Sequence, residues 1–121
     1  MAHRVRYNEE WGCVHLIHTG DLDINDAYAS RYAVRDLLVA HNSRKVLADI
    51  RRADPLLTVD EAVTFFQSHR NLLPLGVSIA LVANASIMSN QAVVEKLSMI
   101  PGVSQRLFSD EVAALEWLLG I

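Results

Sequence analysis

Cysteine, glycine and proline are scarce in this chain, at one, five and three residues out of 121. The lone Cys13 cannot close an internal disulfide, which points to a reducing compartment and so to the cytoplasm. The glycines are scattered singly, which excludes a glycine-rich phosphate loop. Basic charge is also short, with 11 Lys and Arg against 14 Asp and Glu and a net charge of -3. A nucleic-acid binder needs a basic surface, so nucleic acid is not an expected partner. No apolar run reaches the roughly 18 residues of a membrane span. The opening MAHRVRYNEEW has no apolar segment of the secretory kind. The histidines lack ligand spacing such as H-x-x-x-H on a helix, so no metal or cofactor is expected.

What remains is ordinary globular material, 51% hydrophobic and 21% charged. A chain of this length fits one domain, 1–121, and buries about two-thirds of its unfolded surface without a disulfide or metal to help. His3 to Tyr7 alternates, Val5 and Tyr7 against Arg4 and Arg6, as a half-exposed strand does. The turn NEEWG leads to a second strand, Cys13 to Thr19, and the short link predicts an antiparallel hairpin. Asp21, Asp23, Asn25 and Asp26 crowd the start of a helix running to His41, with Ala27, Val34, Leu37 and Leu38 at helical spacing.

Lys45 to Ile50 is a third strand, and an Asp-Pro turn separates it from a helix over Thr58 to Leu73 with Ala62, Phe65, Phe66 and Leu73 inward. Val77 to Ala83 is almost wholly apolar, as in a strand covered on both faces. A helix over Asn90 to Met99, a strand over Val103 to Phe108 and a final helix capped by Ser109 and stopped near Gly120 complete the order. The expected fold is α/β, a single mixed but mostly parallel five-stranded sheet with four helices in the order β-β-α-β-α-β-α-β-α.

That order and size resemble the STAS fold of anti-sigma-factor antagonists and of the cytoplasmic ends of sulfate transporters. The chain is most similar to small stand-alone bacterial proteins of the SpoIIAA-like, or STAS/SEC14, type. The segments that carry the likeness are GDLDINDA, KVLADIR and RLFSDEVAALEWL, and the last is the most specific. The resemblance implies a non-enzymatic module that binds another protein. In the antagonist branch it also implies a phosphorylated serine or threonine in a D-S-x-G-type motif after the third strand. Here Asp49 stands at a matching strand end, but the serine-glycine pair is absent and Thr58 is the nearest hydroxyl.

Thr58 has a simpler use. With Glu61 it forms the S/T-x-x-E capping box, which accounts for both residues. As a phosphosite, Thr58 would face Asp60 and Glu61. Ligands in open parallel sheets bind beyond the carboxyl ends of strands. Arg51, Arg52, Thr58, Asn84, Ser86, Ser89 and Asn90 all fall at that edge, where helix N-termini favour anions, and they make up the candidate ligand or partner site. Solvated arginines and ordinary helix caps would account for the same residues. Cys13 and His15 share a strand face, but no third orienting residue completes a catalytic set.

Function therefore divides three ways. The leading expectation is a non-enzymatic interaction or regulatory module whose partner is another protein or a second copy in a homodimer. The alternative, implied by the SEC14 side of the resemblance, is a small-molecule or lipid binder, and an enzyme is the remote third. A ligand binder should hold an apolar cavity between helices and sheet, whereas a pure interaction module should have a filled core.

Overall fold

The computed structural model describes residues 2–89 and 102–121. The expected helix over Asn90 to Met99, and Asn90 as a site residue, lie outside them.

Strands β1 (Ala2–Asn8) and β2 (Cys13–Leu22) form the hairpin. Asn8 shapes its turn by accepting from the amides of Gly12, at 2.8 Å, and Trp11, at 3.0 Å. Gly12 supplies the positive φ of 63° that the turn needs. Helix α1 (Ile24–His41) opens on a reciprocal cap between Asp23 and Asp26 and closes on Asn42 in the left-handed conformation. The ring of His41 stacks on Tyr7 at 3.8 Å.

Strand β3 (Lys45–Pro55) is followed by α2 (Val59–Gln67), a single turn α3 (His69–Leu72), β4 (Val77–Val82), a single turn α4 (Ala85–Met88), β5 (Val103–Phe108) and α5 (Glu111–Leu119). The sheet order is β1-β2-β3-β4-β5, with the first pair antiparallel and the others parallel. This is the α/β, five-stranded mixed sheet that the sequence predicts. Among the described residues, no helix is long and apolar enough to cross a membrane.

Side-chain alternation sends the two halves of each strand into separate cores. Val14, Leu16, Val46, Ala48, Ile79 and Leu81 pack under Val34 and Leu38 of α1 and Phe66 of α2. Cys13, Leu47, Ala80 and Val82 pack under Ala114 and Leu118 of α5, with Trp11 and Trp117 at the margin. Trp117 thus covers the sheet, its ring 5.7 Å from that of Phe108.

Three boundaries differ from expectation. β3 does not end at Ile50 but runs through the expected Asp-Pro turn, because β2 extends alongside it and pairs Thr19 with Arg52 through Leu22 with Pro55. The helix expected over Thr58 to Leu73 is interrupted at Ser68. There the Ser68 hydroxyl donates to the Phe65 carbonyl at 2.7 Å and Arg31 donates to it at 2.9 Å, competing with the next helical amide. The final helix is capped by Asp110, not Ser109, since the Asp110 carboxylate reaches the Ala113 amide at 3.0 Å.

Candidate functional site

The β3–α2 junction carries the residues the sequence singles out, and the structure distributes them over both faces of the sheet. Thr58 caps α2: its Oγ1 accepts from the Glu61 amide at 3.1 Å, and Glu61 accepts from the Thr58 amide at 2.9 Å. Arg51 and Arg52 stand at a bulge in β3, where Ile17 pairs with Asp49 but Thr19 pairs with Arg52. Arg51 turns to the α5 side and grips Asp49 with Nε at 3.0 Å and Nη2 at 2.8 Å; Glu111 lies 3.7 Å from the same guanidinium. Burial alone would raise the Asp49 pKa, but the hydrogen bonds and charge of Arg51 together outweigh it and hold the carboxyl below its usual range. Arg52 is exposed.

Asn84 joins the two strand ends, donating to the Arg51 carbonyl at 3.2 Å while its Oδ1 caps α4 through the Ile87 amide at 3.0 Å. The Ser89 hydroxyl closes α4 by donating to the Ser86 carbonyl at 2.8 Å. Thr58, Arg51, Asn84 and Ser89 therefore each have a local structural task.

On the α5 face, Cys13 is fully buried, and burial pushes its thiol up to about 11. His15 lies two residues on, buried beside Trp11, with neither ring nitrogen hydrogen-bonded among the described residues. Burial lowers its pKa, an effect that Glu111 partly offsets. A raised thiol next to a histidine that resists protonation is the reverse of an activated thiolate pair. Among the described residues, no three His, Cys, Asp or Glu side chains are gathered to hold a metal ion.

The described residues do not fill the opposite face. Between the sheet and helices α1 and α2 lies a cavity of about 320 Å³, walled mainly by apolar side chains such as Val34, Val46, Ile79 and Phe66. Thr58 and Ser86, two of the expected site residues, lie on its wall, and exposed Leu56 and Val59 flank Thr58. Arg51, Arg52, Asn84 and Ser89 are not part of the lining among the described residues.

Four nitrogen-bearing side chains, Arg31, His69, His18 and Gln105, interrupt this apolar wall beside the hydroxyls of Ser30, Thr58 and Ser86 and the carboxylate of Asp54. Arg31 on α1 is only 7% exposed, and its Nη1 donates to the Phe65 carbonyl, to Ser68 Oγ at 2.7 Å and to His69 Nδ1 at 3.2 Å. Its guanidinium carbon sits 4.5 Å from the centre of the Phe65 ring and 5.2 Å from that of Tyr28. Burial, reinforced by the Arg31 charge, lowers His69 to about 3, so the ring is neutral and its Nδ1 is an acceptor. His18 is held by Ser30 at 2.9 Å. Because the Ser30 hydroxyl donates to the Ala27 carbonyl, His18 Nε2 must carry the proton of that bond. Burial, with His3 nearby, lowers His18 to about 4. Gln105 on β5 is the fourth, and its Oε1 is buried without a partner among the described residues.

Sequence reasoning passed over these four. Arg31 falls in the buried stripe Ala27–Arg31–Val34–Leu38, and His69 occupies a matching place after Ala62, Phe65 and Phe66. A charged residue at a core position of a helix is a signal readable from spacing alone.

This architecture is the STAS fold. An anti-sigma factor antagonist from Mycobacterium paratuberculosis matches it with a TM-score of 0.66 at 16% identity, over 97% of this chain and 94% of that one. The unphosphorylated form of the anti-sigma factor antagonist SpoIIAA matches with a TM-score of 0.62 at 14% identity, over 99% and 100%. An uncharacterised Shewanella loihica PV-4 protein with a SpoIIAA-like fold matches at 0.60 and 18% identity, over 97% and 92%. No protein-family model matches the chain, and no curated protein does.

Proposed function

We propose that this chain is a non-enzymatic STAS-type regulatory module that takes a small ligand into the α1–α2 cavity and presents the surrounding face to another protein or a second copy. The observation that carries this reading is the cavity itself, since a module acting only through its surface should have a filled core. Its position adds support: Thr58 and Ser86 place it beside the carboxyl ends of β3 and β4, where open parallel sheets bind their ligands. Two of the structures of similar fold are anti-sigma factor antagonists, which favours regulation by protein contact as the output. Arg51, Arg52, Asn84, Ser89 and Asn90 belong in this reading to the partner-facing rim, and Thr58 to the cavity wall.

Native mass spectrometry of the protein isolated from its producing cell tests this directly. The expected spectrum shows the chain carrying a retained small molecule, together with or without a second subunit. A bare chain as the sole species, unchanged when the growth medium and cell extract are varied, would overturn the proposal.

A further inference from the structure

Among the described residues, Arg31 is a buried cation without an anion. Its three acceptors, a backbone carbonyl, a serine hydroxyl and a neutral histidine, carry no formal charge. No carboxylate pairs with it among the described residues, and none of its hydrogen bonds there uses Nε or Nη2. An unpaired buried charge is costly, so native proteins almost always give it a counter-ion. The unused Nε and Nη2 are the pair with which a guanidinium grips a carboxylate side-on, as Arg51 grips Asp49 in this same chain.

The surrounding cavity defines the rest of the ligand. Its described wall is mainly apolar, Arg31 is the one cationic residue on it, and Asp54 lies on the wall as well. Arg31 can pair one negative charge, which suits a monoanion with an apolar body better than a phosphate ester, whose second charge would have no partner and would be repelled by Asp54. At ~30 Å³ for each water-sized volume, the space holds roughly ten such units, which corresponds to an acid of about ten non-hydrogen atoms. From these observations we infer that the cavity binds a small apolar monocarboxylate, its acid group paired with Arg31 Nε and Nη2 and its body against Val34, Val46 and Phe66. This rests on the proposed ligand-binding function and names the ligand class. Gln105 Oε1, without a partner among the described residues, is left to receive a hydroxyl where the acid carries one.

Octanoate, 1-octanol and octylammonium share one apolar chain and differ in the head group, so they separate the two levels of the inference. Titration of the intact wild-type protein at pH 7, followed by amide NMR shifts, is expected to give octanoate at least tenfold tighter binding than octanol and no binding of octylammonium. The shifts are expected to centre on α1 and on Ala62. Arg31→Met should reduce the octanoate preference to within threefold of octanol. If that variant does not fold, the head-group comparison on wild type decides alone. Octanol binding as tightly as octanoate would overturn the carboxylate assignment while leaving ligand binding standing. Absence of binding by any of the three would overturn both.

Discussion

Lowering the pH from 7.5 to 5 should destabilise this protein by about 4 kcal/mol through two buried histidines. His18 and His69 are 3% and 5% exposed, and burial holds them near 4 and 3 respectively, against an ordinary value of 6.5. Between 6.5 and those values the unfolded chain binds protons that the folded chain refuses. Stability therefore rises with pH across this window, is complete above 6.5, and is lost as the pH falls toward 4 and then 3. Each unit of pH below 6.5 costs about 1.4 kcal/mol per histidine, so at pH 5 each contributes about 2 kcal/mol. Protonating His69 would also set a second cation against the Arg31 guanidinium at its Nδ1. His15, likewise lowered by burial, adds in the same direction. The Asp49 carboxyl, held below its usual range, loses its contribution only as the pH falls through values below 3.8, outside this interval. Urea unfolding at the two pH values measures the difference, and His69→Gln should halve it. Equal unfolding free energies at pH 7.5 and 5 in wild type would refute the burial argument, and an undiminished difference in His69→Gln would refute the role given to that residue.

Thr58→Ala should cost about 1 kcal/mol of stability through loss of the α2 cap, whereas Thr58→Asp should be close to neutral because aspartate caps as well; urea midpoints of the two variants separate these outcomes. Cys13 should resist a thiol reagent such as Ellman's at pH 8 and react only on unfolding, since its thiol is fully buried and pushed up to about 11. Rapid labelling of the native protein would contradict the packing of β2 against α5.

The fold was legible because its signals are local and repeated. Val5 and Tyr7 alternate with Arg4 and Arg6, β4 is apolar on both faces, and an acidic cluster opens α1; each of these specifies an element without reference to the rest of the chain. The extension of β2 and β3 was not legible, because Gly20–Leu22 and Arg51–Pro55 form strand only by pairing with each other. Asp-Pro reads locally as a turn, and tertiary pairing overrides that preference. The break at Ser68 depends on Arg31, 37 residues away in sequence, and no window-based reading can connect the two. Of the residues that sequence reasoning offered for a site, Thr58 and Ser86 lie on the cavity wall. It put forward the pair Arg51 and Arg52, the first of which is engaged by Asp49, and overlooked Arg31, which has no carboxylate partner among the described residues. The two arginines differ in burial and pairing, which are properties of the packed structure.

The paired extension of β2 and β3 has a consequence for how the protein opens. Beyond Thr19 on β2 and Asp49 on β3, the described residues provide no β1 or β4 partner, so Gly20–Leu22 and Ala53–Pro55 form a two-stranded ribbon at the end of a five-stranded sheet. Local unfolding is cheapest where a strand has the fewest neighbours. Leu22, Asp54 and Pro55 of this ribbon are also part of the cavity wall. The wall of the cavity thus includes the segment that can part most readily, while Leu47 and Ala80 at the sheet centre stay closed. Opening of the cavity wall and loss of the global fold are thereby separated, and amide exchange in the ribbon would run ahead of the sheet that supports it.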